Sequence, residues 1–66
     1  MRIMILWKHT SGYNVEEMGY FKEIRDDYLY WDAEHPIPAN KEASIQKSMS
    51  LSKIIRITEL VSGQAL

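Results

Sequence analysis

The sequence predicts a mainly β protein, a small antiparallel sheet or an open half-barrel, and three observations carry that prediction. Residues 19–32 hold two aromatic-rich runs around a polar break, Arg25-Asp26-Asp27, the pattern of a β-hairpin with a connection of about three residues. Tyr20, Phe21, Tyr28, Tyr30 and Trp31, five of the seven aromatic residues, lie in this stretch, so the core must form on it. Residues 2–9 alternate with a period of two, and Ile54-Ile55-Arg56-Ile57-Thr58 is a β-branched run.

In chain order, the first strand covers 2–9. Ile3, Ile5 and Trp7 point one way, while Met4 and Leu6 share the other face with Arg2 and Lys8. Apolar residues on both faces imply a strand covered on both sides, or one whose outer face meets a partner. Thr10-Ser11-Gly12 is a turn by composition. Residues 13–27 admit two readings. Val15, Met18, Phe21 and Ile24 recur every three residues behind Asn14 and Glu17, a capping-box pair, which gives an α+β alternative with a helix over residues 14–26. Against the helix, Gly19 costs about 1 kcal/mol relative to Ala in a helix interior, and Tyr20-Phe21 suits a strand over 19–25. Tyr28-Leu29-Tyr30-Trp31 gives a strand over 27–32. His35-Pro36-Ile37-Pro38 is extended or loop, because each proline removes a donor and restricts its predecessor. Ile45, Lys47, Met49 and Leu51 alternate weakly with Gln46 and the serines, and the last strand covers 53–59 before Ser62-Gly63.

Length and charge narrow the function classes. Sixty-six residues make a single domain, 1–66, whose core supplies roughly 3–5 kcal/mol, so a partner protein or self-association is expected. With no cysteine there is no disulfide framework, thiolate metal site or thiol nucleophile, and a cytoplasmic setting is the expectation. Eight basic and nine acidic side chains, mixed along the chain, argue against nucleic acid, which demands clustered Lys and Arg. The opening run Met1–Lys8 is too short for a signal sequence or a membrane span.

No constellation carries catalysis. Asp32, Glu34 and His35, with His9 elsewhere, are the nearest approach to a metal set, but a lone histidine beside loop carboxylates reads as a solvated flank. Asp26-Asp27 reads as a turn former, since aspartate side chains bond local amides. No serine sits in a Gly-x-Ser-x-Gly setting, and there is no phosphate-cradling glycine loop. The expectation is a protein that is not an enzyme, with no cofactor and no metal. The aromatic cluster suits core packing better than base stacking, given Glu23, Asp26, Asp27 and Asp32 beside it. Tyr28, Tyr30 and Trp31 are the candidate partner-binding residues, because aromatics left at a surface anchor interfaces.

Read end to end, the chain resembles the first half of a pleckstrin-homology domain of the phospholipase C type. The matching residues are Met4-Ile5-Leu6-Trp7-Lys8, Tyr20-Phe21-Lys22-Glu23-Ile24, Asp27-Tyr28-Leu29-Tyr30-Trp31-Asp32, a proline-containing loop, and Ser50-Leu51-Ser52-Lys53-Ile54-Ile55-Arg56-Ile57 with Gly63 beyond. The likeness covers most of the chain through spacing and hydrophobic pattern. It implies an open half-barrel without the family's later strands and capping helix, and open edges invite pairing, hence a homodimer or a split partner. It also implies a lipid-binding alternative, in which Lys8, His9 and Lys22 would grip a phosphoinositide or other anionic headgroup. Asn14, Glu16 and Glu17 stand where further basic residues would be needed, so the resemblance favours a protein-binding member. The leading expectation is a non-catalytic interaction module that uses a sheet edge or an aromatic face. By size alone, a small phage-type inhibitor of a host enzyme is a further alternative.

Overall fold

The computed structural model describes residues 1–33 and 45–66. They form one open, five-stranded antiparallel sheet of β1 (Arg2–Lys8), β2 (Asn14–Arg25), β3 (Tyr28–Ala33), β4 (Gln46–Ser50) and β5 (Ile54–Glu59), in spatial order β4-β3-β2-β1-β5. There is no α-helix among the described residues, so the helix over residues 14–26 is overturned: β2 occupies that whole stretch. The strand expected over 19–25 therefore starts five residues earlier, and β4 was not among the expected strands. The strands expected over 2–9, 27–32 and 53–59 match β1, β3 and β5 to within one residue at each end.

A bulge accounts for the last step of the helix-like spacing, from Phe21 to Ile24. Between Phe21 and Glu23 the β2–β3 register shifts, so Phe21 pairs with Trp31 and Ile24 with Leu29. One extra residue, Lys22, lets side chains three apart share a face. The same device acts in β5, where Trp7 pairs with Ile54 but Leu6 with Arg56, and Ile54 and Ile57 both turn inward. Of the other two members of the apparent stripe, Val15 pairs with Trp7 on the inner face and Met18 with Met4 on the outer face, so they share no face.

The hairpin between β2 and β3 is tighter than the expected three-residue connection. Arg25 pairs with Tyr28, and Asp26 and Asp27 alone make the turn, with φ of 52° and 64°. Two successive left-handed residues match the right-handed twist of the flanking strands, and aspartate tolerates that region better than most residues.

The sheet must coil. β4 and β5 are its two edges, yet only Leu51–Lys53, a single 3-10 turn, joins them. Four inter-strand gaps of about 4.8 Å would separate the edges of a flat sheet by roughly 19 Å. The four Cα steps from Ser50 to Ile54 reach at most about 15 Å. The register sharpens the demand. Ser50 adjoins Tyr28 and so Arg25, whereas Ile54 adjoins Trp7 and so Val15, roughly 33 Å away along β2 if it were straight. β2 therefore bends, and its N-terminal half, with β1 and β5, faces its C-terminal half, with β3 and β4.

The core fills the space between. Ile3 and Ile5 from β1, Leu29 and Trp31 from β3, and Ile57 from β5 are buried, with Trp7, Phe21, Met49, Leu51 and Ile54 packed around them. Gly19 sits where the halves meet, opposite Ile3 on one side and Ala33 on the other. A Cβ there would overlap Cδ1 of Trp31 and stand 2.7 Å from the Asp32 carbonyl oxygen. Only glycine lets Trp31 lie against the β2 backbone. Lys47 of β4 forms an ion pair with Glu17 of β2, two strands away in the sheet order. Asn14 and Glu17 thus serve a strand start and this ion pair rather than a helix cap.

Candidate functional site

Tyr28 and Tyr30 alternate with the buried Leu29 and Trp31, so both tyrosines lie on the outer face of β3. Their neighbours on β4 are Ser50 and Ser48, and on β2 they are Arg25 and Glu23. The Arg25 guanidinium carbon stands 5.2 Å above the Tyr30 ring, and its Nε donates to Glu23 at 3.1 Å. That cation–π contact and ion pair hold Tyr30 half-buried, while Tyr28 remains exposed. The result is a short platform of two tyrosine rings bordered by a serine strip.

The strip is also the edge of the sheet. Ala33 N–H donates to the Ile45 carbonyl and Leu51 N–H to the Asp27 carbonyl. Backbone groups of an antiparallel strand alternate sides, so Lys47 and Met49 bond to β3, and the N–H and C=O groups of Gln46 and Ser48 point away from it, while Ser50 caps the 3-10 turn that follows. Among the described residues nothing pairs with that side of β4. The opposite edge differs. Residues after Glu59 turn back, Ala65 bridges Thr58, and Glu59 and Leu66 N–H groups donate to Gln64 and Ile57 carbonyls, both at 2.8 Å.

Trp31 leaves the candidate set. It is 1% exposed and belongs to the core, where it faces Gly19, so its ring is not open to a partner. Composition groups Trp31 with the tyrosines, and the strand alternation that places it with Leu29 on the inner face is what separates them. Ser48, Ser50, Arg25 and Glu23 are the residues of this face that the sequence reading passed over. The alternation of Ile45, Lys47, Met49 and Leu51 was the signal that could have found the serines.

Lys8, His9 and Lys22 do not come together. Lys8 ends β1 beside Asn14, and Lys22 sits at the β2 bulge and donates to Gln46 Oε1 at 3.4 Å. Asn14 and Lys22 stand eight residues apart on β2, in the two halves that its bend separates. His9 lies in the β1–β2 turn, stacked on Tyr13 with ring centroids 4.5 Å apart, and its Nδ1 accepts from Ser11 N–H at 3.1 Å. Among the described residues no three His, Cys, Asp or Glu side chains cluster in a way that could hold a metal ion. Glu34 and His35, with the proline-containing loop, fall outside the described residues.

No family model, curated protein or solved structure matches the chain.

Proposed function

We propose that the protein is a non-catalytic interaction module that takes an extended segment of a partner protein onto the β4 edge. The observation that carries this reading is the outward-pointing backbone of Gln46 and Ser48 beside Tyr28 and Tyr30, while the Ile57–Glu59 end of the β5 edge is paired with the chain's own C-terminal residues. Added strands draw affinity from main-chain hydrogen bonds and specificity from the side chains beside them. Here the bonds would come from β4 and the specificity from the two tyrosines, Tyr being a frequent interface anchor.

Ser48→Pro tests it. The Ser48 N–H points away from β3, so proline there deletes an outward donor and spares the β3–β4 ladder. Immobilised protein would be used to capture partners from extract of its source cells, beside S48P and Tyr28→Ala. A partner retained by the native chain and lost from S48P, with the native circular dichroism spectrum kept, is expected. Equal recovery on S48P would rule out the β4 edge.

A further inference from the structure

We propose that the outer face of β5, β1 and β2 is an interface between two copies of this chain. It is a different surface from the β4 edge and does not depend on it. β1 is the middle strand of this half-sheet, and its inner face, Ile3 and Ile5, is wholly buried. Its outer face carries Met4 and Leu6, beside Met18 and Tyr20 of β2, which are 47% and 46% exposed. A soluble sheet facing water on one side alternates apolar with polar residues, and here the centre of the outer face is apolar as well.

The register fixes how charge surrounds that centre. Across the strands, one row reads Arg56, Leu6, Glu16; the next Thr58, Met4, Met18; and the third places Arg2 beside Tyr20 and Asp32. Cations therefore lie on the β5 and β1 side and carboxylates on the β2 and β3 side. Such a face is its own complement. A two-fold axis running along β1 sets Leu6 and Met4 against the same residues of the second copy and places each Arg56 over the other copy's Glu16. Sheets packed face to face cross at about 30°, which swings the ends of β1 apart and leaves Arg2 and Lys8 at the wet rim. A uniformly acidic surface, including an anionic membrane, would face Glu16 and Asp32 with like charge. A uniformly basic one would face Arg56 and Arg2. A second copy satisfies both sides.

Charge reversal reads the interface directly. Arg56 and Glu16 are both exposed, so Arg56→Glu and Glu16→Arg leave the core untouched. Sedimentation equilibrium over a concentration series should show a dimer for the native chain. Each single reversal should raise the dissociation constant by about tenfold or more, since like charges then meet across the axis. The R56E/E16R double variant restores opposite pairing and should recover native affinity. A native chain that is monomeric at every concentration would overturn the proposal, as would a dimer indifferent to both reversals or a double variant no tighter than the singles. A dimer lost in S48P but kept in R56E would assign self-association to the β4 edge and equally overturn it.

Discussion

Replacing Gly19 by alanine is the sharpest perturbation of this fold. Gly19 is buried, and its backbone is not in the left-handed region, so alanine can adopt the conformation without dihedral strain. By chain entropy alone the change would stabilise the protein by roughly 0.4–1 kcal/mol, because the unfolded chain loses freedom. The packing opposes it. The new methyl group would overlap the Trp31 ring and sit 2.7 Å from the Asp32 carbonyl oxygen, a backbone atom that cannot swing aside. Trp31 is 1% exposed and has no empty space to retreat into without lifting β3 from β2. Overpacking of this kind costs about 1–3 kcal/mol or more, and two obstructed atoms place G19A at the upper end. The net loss is then roughly 2 kcal/mol, out of a total near 3–5 kcal/mol for a domain of this size. With a urea m-value of about 1 kcal/mol/M, the midpoint of the fluorescence-monitored transition should fall by roughly 2 M. Trp31→Phe makes room, so G19A combined with W31F should be less destabilised than the sum of the singles by at least about 0.5 kcal/mol. A G19A protein as stable as the native one, or strict additivity with W31F, would refute the account of why β2 carries glycine here.

Two further outcomes follow from the turn and the ion pair. Asp27→Gly should stabilise the protein by about 0.5–1 kcal/mol and raise the melting temperature by roughly 4 °C, because the second turn residue holds φ 64° and glycine adopts it freely. A lower melting temperature for D27G would mean that the Asp27 carboxylate contributes more than its backbone strain costs. Glu17→Gln breaks the ion pair to Lys47, whose side chain is 45% exposed, and should cost less than about 1 kcal/mol in urea unfolding at low salt. The difference should shrink in roughly 1 M salt, where the Debye length is about 3 Å. A larger, salt-independent loss would show that Glu17 acts through packing instead.

Several elements were legible from local pattern. The alternation of Ile3, Ile5 and Trp7 against Met4 and Leu6 is a property of a strand's geometry, and β1 has that arrangement. The turn at Asp26-Asp27 was legible from side-chain chemistry. β2 was not, because a bulge at Lys22 makes neighbours three apart share a face, and in a linear sequence that is the mark of a helix. β4 was hidden for another reason. Its serines have little strand preference of their own, and its pairing with Tyr28–Asp32 supplies what local propensity lacks. At the candidate site Tyr28 and Tyr30 could be named from sequence. The burial of Trp31 beneath them, and the β4 backbone left unpaired beside them among the described residues, required the sheet.

By itself, then, the sequence determined a small, charge-balanced, cysteine-free β chain, because composition and short-range periodicity are local quantities. The core it placed on the aromatic hairpin takes only Leu29 and Trp31 from there, and Ile3, Ile5 and Ile57 from β1 and β5. Tertiary structure alone decided which aromatic is core and which is surface, which edge is unpaired among the described residues, and why residue 19 is glycine. Those are settled by register and by the coiling that a single turn between β4 and β5 imposes, and register depends on residues far apart in the chain.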